Sequence, residues 1–226
     1  IDRPMRPLFP KDYRNDVTLN NMVMSVDPSC RPELVAMIGA AIATSISDIP
    51  FDGPCAMTQI GLVDGEFVVN PSQEQWKVGD LNLTVASTSE KVIMIEAGAN
   101  EVPEAKMLEA IYMAHDINQT IIAFINRIVA EVGKPKHEYT SCAVPAEMFE
   151  AMKGIVTPEE METAVFTDEK QVREENIRKI TEKLEEAFAE NEEWLAMLGE
   201  AVYQYQKKTV RKMILKDHKR PDGREI

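Results

Sequence analysis

Apolar positions in the first 140 residues change period several times. Val17, Leu19, Met22, Met24 and Val26 alternate with other residues around the Asn20-Asn21 pair, which predicts a strand over 16–26 with a bulge. Asp27-Pro28-Ser29 signals a turn and a helix start. Leu34, Ile38, Ala41 and Ser45 then recur at helical spacing, with Met37 and Ile42 beside them. Ala36, Gly39, Ala40 and Ala43 in the same stretch are small enough to let that helix sit close on a sheet. After a turn at 50–54, the runs 56–63, 65–70, 81–87 and 92–97 are rich in β-formers and predict strands. Asp64-Gly65 is a strong hairpin signal between the first two, and 88–91 turns the second pair. A long helix is expected over 103–132, opened by Pro103 and stopped by Gly133 and Pro135. Its apolar stripe runs Leu108, Ile111, Ile122, Ile125, Val129, with His115 and Asn118 inside it.

From 134 to 145 the pattern is that of a connector, and beyond it strand signals vanish. A short amphipathic helix is expected over 145–154, and Thr157-Pro158-Glu159-Glu160 suits the start of another. Thr167 or Asp168 would cap a helix carrying Val172, Ile177, Ile180, Leu184 and Phe188. Leu195, Leu198, Val202 and Tyr205 mark a last helix running into basic residues. The expected fold class is therefore α+β, a sheet with packed helices over 1–140, followed by an all-α domain of three or four helices.

A hydrophobic fraction of 44% over 226 residues suffices for packed cores. No run of about 18 apolar residues is present, so no membrane partner is expected. Residues 1–10 are Pro- and Arg-rich and do not read as a signal peptide. With no initiator Met and no tail-like composition, both ends read as cut from a longer protein. Cys30, Cys55 and Cys142 lie far apart without metal or redox spacing, which fits a reducing cytoplasm. The net charge of −13 argues against a polyanion partner until its distribution is considered. Residues 1–140 hold 11 basic and 19 acidic groups, 141–200 hold 6 and 16, and 201–226 hold 8 and 3. Fields decay over about 8–10 Å at physiological salt, so a local basic surface keeps nucleic acid open as a partner.

Candidate chemistry is sparse. The polar pair His115 and Asn118 reads as a hydrogen-bonded core pair, with a ligand role as the alternative. His137 and His218 have no second ligand at metal spacing. No nucleophile elbow, P-loop or dinucleotide glycine pattern occurs. Glu192-Glu193 and similar clusters read as solvated helix faces. The opening Asp2-Arg3-Pro4-Met5-Arg6-Pro7 sets two guanidiniums three residues apart. On one side of a helical turn, Arg3 and Arg6 would suit phosphate contact; the alternative is structural bonding to carboxylates or carbonyls.

Several ordered motifs match a known family. Residues 1–10 resemble the segment of polynucleotide phosphorylases that leads out of the RNA-facing helix of the first ribonuclease PH-like core. Ala36-Met37-Ile38-Gly39-Ala40-Ala41, Ile49-Pro50-Phe51-Asp52-Gly53-Pro54 and the turn Asn70-Pro71-Ser72-Gln73 continue the resemblance in order. Lys219-Arg220-Pro221-Asp222-Gly223-Arg224 is similar to the motif opening the second core. The resemblance thus implies three parts: 1–140, the later part of the first ribonuclease PH-like core; 145–217, an all-helical linking domain; and 218–226, the start of the second core.

It further implies a cytoplasmic 3′→5′ exoribonuclease that uses phosphate and Mg²⁺ to release nucleoside diphosphates, and that polymerises them in reverse. The implied assembly is a homotrimeric ring around a central RNA channel, with RNA-degradation complex proteins as further partners. The family's active core carries Gly-Asp-x-Asp-x-Lys before Val-Ala, whereas Gly79-Asp80-Leu81-Asn82-Leu83-Thr84-Val85-Ala86 has Asn82 and Thr84 at the key positions. Trp76 falls where a second catalytic Asp is expected. No catalytic or metal site is therefore expected in this segment, and no cofactor bound by it alone. Arg3 and Arg6 match arginines that face the RNA path. The rival readings are a stand-alone protein-interaction or assembly module and a ribosomal-protein-like RNA-binding domain.

Overall fold

A computed structural model describes residues 1–27 and 29–225. Contacts divide the chain into two units, Ile1–Ser141 and Cys142–Ile226.

The first unit is built on a four-stranded sheet: β1 (Ala56–Val63), β2 (Glu66–Val69), β3 (Leu81–Ser87) and β4 (Val92–Ala99), in the order β2-β1-β3-β4. All three pairings are antiparallel, a narrower arrangement than a mixed sheet. Asp64 (φ 51°) and Gly65 (φ 83°) take the left-handed conformations that a two-residue hairpin with the sheet's twist requires. The β3–β4 turn closes through Thr88 N–H donating to the Lys91 carbonyl at 2.9 Å.

Helices pack on this unit from α1 (Asp2–Met5), α2 (Pro32–Ile46), α3 (Gln73–Val78) and α4 (Glu104–Val132). Strand alternation separates two cores. Ile60, Leu62, Leu81, Leu83 and Val85 meet Ala110 and Ala114 of α4. Met57 and Ala86 instead meet Met5 and Leu8 together with Met37 and Ala40 of α2. The buried stripe of α4 is Ala110, Ala114, Asn118, Ile122 and Ile125, rotated from the expected one. Leu108 is 51% exposed, because the small Ala110 and Ala114 let the helix approach the sheet on their side.

Two local expectations are corrected. Residues 16–26 form no strand; a strand needs a hydrogen-bonding neighbour, and no described residues pair with this segment. Met22 and Met24 are instead 77% and 87% exposed. Pro28 of the expected turn lies outside the described residues, as does Ile226. The stretch after Asn70-Pro71 is not only a turn. Ser72 opens α3 through a capping box, accepting from Gln75 N–H at 3.3 Å while the Gln75 side chain accepts from Ser72 N–H at 3.0 Å.

The second unit is all-helical among its described residues: α5 (Ala146–Ile155), α6 (Pro158–Val165), α7 (Lys170–Ala187) and α8 (Glu192–Leu215). Its core joins Met148, Met152, Met161, Val165, Leu184 and Leu198. Tyr205 is buried among them and donates its hydroxyl to the Val156 carbonyl at 2.9 Å, as a buried phenol requires. The cap of α7 falls on Glu169, one residue beyond the expected pair, and Thr167 Oγ1 accepts from Glu169 N–H at 3.2 Å.

Candidate functional site

Met5 and Leu8 anchor the opening segment in the core, so that the short α1 and the 3-10 turn Arg6–Leu8 lie on the sheet with their arginines outward. Arg3 Nη1 donates to Glu96 Oε2 of β4 at 2.8 Å. Arg6 grips Asp2 with both arms of its fork, Nε to Oδ1 at 3.0 Å and Nη2 to Oδ2. That hydrogen bond, and then the Asp2 charge, raise the Arg6 pKa above its usual value. Both guanidiniums thus hold carboxylates, the structural alternative, yet their side chains remain 64% and 77% exposed. Ion pairs this exposed are worth little, so a phosphate can exchange for either carboxylate at small cost.

Strand register links Arg3 to the motif on β3. Thr84 lies between Gln59 of β1 and Glu96 of β4, and Asn82 lies between Gly61 and Gly98. One face of the sheet therefore carries Gln59, Asn82, Thr84 and Glu96, with Arg3 reaching over its edge. Gln59 Nε2 donates to Thr84 Oγ1 at 3.3 Å. Gln59 Oε1 and Asn82 Oδ1 are buried without a hydrogen-bond partner among the described residues.

Asp80 opens β3 exposed, accepting from Asn100 Nδ2 at 3.4 Å. Trp76 lies on α3 under the Arg31 guanidinium, 4.3 Å from the ring centroid. A divalent cation that assists phosphoryl transfer is held by carboxylates and neutralised further by cations. The row here offers two amides, a hydroxyl and Glu96, which Arg3 already holds, with Asp80 exposed at the start of β3, and does not fit such an ion. Glu96 and Gln59 were not legible as members of this row, because only the pairing of β4 and β1 with β3 brings them to Thr84.

Of the expected polar pair, only Asn118 is fully buried. It accepts from Thr58 Oγ1 at 2.8 Å and donates to Ser87 Oγ at 2.8 Å and the Val85 carbonyl at 3.1 Å. His115 is half-buried beside Gln119. His137 ends up 3.2 Å from the Tyr13 hydroxyl, and His218 is exposed after α8. No helix among the described residues is long and apolar enough to cross a membrane.

Residues 53–117, which hold the antiparallel sheet and the first half of α4, match the model of the 3′ exoribonuclease family, domain 2. Residues 147–225 match the model described as polyribonucleotide nucleotidyltransferase, RNA binding domain. Over all of its length the chain is 74% identical to a polyribonucleotide nucleotidyltransferase of Lachnoclostridium phytofermentans. It is 48% identical to one of Ruminiclostridium cellulolyticum and 44% to one of Caldicellulosiruptor saccharolyticus. Each alignment covers 100% of this chain and 32% of the relative, so the chain spans about a third of the length of the relatives it matches. Over its whole length the chain is thus similar to part of polyribonucleotide nucleotidyltransferases. Two family models matched in order along one chain do not favour an assembly module or a ribosomal-protein-like domain.

Proposed function

We propose that this chain is part of a phosphate-dependent 3′→5′ exoribonuclease that releases nucleoside diphosphates from RNA and polymerises them in reverse. The succession of the two family matches, within an alignment at 74% identity, carries this reading. In it, 1–140 is the later part of a non-catalytic core, 145–217 a helical linking domain, and 218–226 the start of a second core; the second match continues through that last stretch to 225.

The chemistry on β3 supports a non-catalytic role. Phosphoryl transfer needs metal-holding carboxylates and cations at the transferring group, and Asn82 and Thr84 supply neither. Mg²⁺ and phosphate then act elsewhere in the longer protein. The role left to this segment is structure, contact between copies in a homotrimer, and contact along the RNA path through Arg3 and Arg6. Likeness to those relatives supports the trimer, the cytoplasmic location and degradation-complex partners.

The test is phosphorolysis of poly(A) by the full-length protein with phosphate and Mg²⁺. Release of ADP is expected, together with no release by the isolated chain once contaminating enzyme is excluded. Replacing Arg3 and Arg6 by Gln should weaken RNA binding roughly 10-fold at about 0.1 M salt, the effect of losing two phosphate contacts. A full-length protein that releases no nucleoside diphosphate overturns the reading.

A further inference from the structure

The second unit carries positive charge that the Arg3 and Arg6 reading leaves unused. Helix α8 turns Leu198, Ala201, Val202, Tyr205, Thr209 and Met213 inward. At 3.6 residues per turn the opposite ridge runs Tyr203, Lys207, Arg211, with Lys208 about 100° round the helix from Lys207. Tyr203 is 57% exposed, and the Lys207 ammonium lies 6.0 Å from its ring centroid. The Lys208 ammonium sits 4.0 Å over the Phe149 ring.

Neighbouring cations are neutralised. Lys212 pairs with Asp217 at 3.7 Å, Lys219 with Glu162 at 3.2 Å, and Arg220 and Arg224 with Asp222 at 2.7 and 2.6 Å. Among the described residues, Lys207, Lys208, Arg211 and Lys216 have no carboxylate within 4.0 Å. The last acid on α8 is Glu200, about 10 Å along the axis from Lys207 and about 16 Å from Arg211. Those separations reach or exceed a Debye length, so Glu200 does little to quench the ridge.

A structural account covers only part of this. Cations near a helix C-terminus complement the backbone dipole, but that effect fades within the last turn. It accounts for Lys212 and not for Lys207 and Lys208, which lie about two turns inside the end at Leu215. Like charges four apart, such as Lys207 and Arg211, destabilise a helix slightly. The ridge therefore costs helix stability that, among the described residues, only its ring contacts with Tyr203 and Phe149 offset, in a chain of net charge −13.

We propose that the α8 ridge binds the phosphate backbone of single-stranded RNA through Lys207, Lys208 and Arg211, with Tyr203 as a stacking platform for a base. Cations beside an exposed aromatic ring grip a single strand without reading its sequence. This rests on RNA being the partner of the longer protein, and it adds a second contact zone to that of Arg3 and Arg6.

The experiment titrates full-length protein with a fluorescent oligoadenylate across a KCl series. The variant Lys207→Gln/Lys208→Gln/Arg211→Gln is compared with Lys170→Gln/Lys179→Gln/Lys183→Gln on α7, where each lysine is already paired with a glutamate. The two variants change net charge equally. The ridge variant should lower the log–log salt slope by about 2, from about 0.7 per lost phosphate, and weaken binding roughly 10- to 100-fold at about 0.1 M salt. Tyr203→Ala should weaken binding at least roughly 5-fold with its salt slope unchanged. The α7 variant should bind as the parent does. In parallel, photocrosslinking of the unaltered protein to thiouridine-containing RNA should place a crosslinked peptide within 200–216, a readout that needs no variant to fold. Parental affinity and slope in the ridge variant, equal weakening by the α7 variant, or crosslinks only outside 200–216 overturns the ridge and leaves the exoribonuclease reading standing. A parent protein that neither binds RNA nor releases nucleoside diphosphates overturns both.

Discussion

Asn118 is the polar residue inside the buried stripe of α4, and its carboxamide is engaged on both sides. It accepts from Thr58 on β1 and donates to Ser87 and the Val85 carbonyl on β3, so one side chain pins the helix to two strands. Asn118, Thr58 and Ser87 are all 0% exposed, so the loss of Asn118 strands the hydroxyls of Thr58 and Ser87 in a buried site. Each buried polar group left unpaired costs about 1–3 kcal/mol. Asn118→Ala should therefore destabilise the first unit by about 3 kcal/mol, read as a shift of its urea midpoint. A shift under about 1 kcal/mol would mean that water or a local rearrangement satisfies those groups. His115 shares none of this. Three residues on a helix is a rotation of about 300°, which moves His115 off the centre of the stripe that Asn118 occupies. The pattern of apolar residues located the stripe to within one neighbour, and the identities of the small residues, Ala110 and Ala114, decided which side of it was buried.

Elements are fixed at their ends, and α6 shows how. Thr157 Oγ1 accepts from Glu160 N–H at 3.2 Å, and Glu160 Oε2 accepts from Thr157 N–H at 2.9 Å. The second oxygen of Glu160 takes the Lys183 ammonium of α7 at 3.0 Å. The Thr157 N–H, then Lys183, lower the Glu160 pKa below the usual carboxylate value. A carboxylate held low contributes stability that is fully present above its unfolded pKa and is lost as pH falls through its folded pKa. Thr157→Ala should cost about 1 kcal/mol at neutral pH. Glu160→Gln should be less stable than the parent at neutral pH, and the gap should close in acid; a gap independent of pH would deny Glu160 its charged role.

This cap was legible, as were the Asp64-Gly65 hairpin and both ends of α4, because each is local chemistry written in adjacent residues. The Ser72-x-x-Gln75 box of α3 was equally written, but the prolines and polar residues around it read as a turn. The expected strand at 16–26 failed for a different reason. Alternation reports a segment able to cover a half-buried surface, while strand formation also requires a neighbour's backbone groups. The Arg3–Glu96 pair was beyond reach in the same way, since 93 residues separate partners that only sheet register aligns.

At the scale of the molecule, the first unit closes its sheet from both faces but not at its edges. β4 pairs with β3 on one side, and no described strand lies along its other side. It is eight residues long, Val-Ile-Met-Ile-Glu-Ala-Gly-Ala, with Ile95 45% and Val92 37% exposed. Proteins that must stay monomeric interrupt such an edge with lysine, proline or a bulge; β4 has one register shift near its start, at Ile93, and beyond it no lysine or proline, only the partly neutralised Glu96. Apolar side chains at 22–24 and 26 add further uncovered surface in the same unit. An edge of this kind fits a strand added from another chain better than it fits water. The isolated 226-residue chain should therefore self-associate, its light-scattering mass rising above 25.4 kDa with concentration. Ile95 shares the face of its cross-strand partner Val85 but is 45% exposed at the edge; Ile95→Lys puts a charge there and should restore a constant monomer mass with the helical content unchanged. Association that persists undiminished in this variant, or a parent that stays monomeric across the series, would show that the β4 edge is not the adhesive surface.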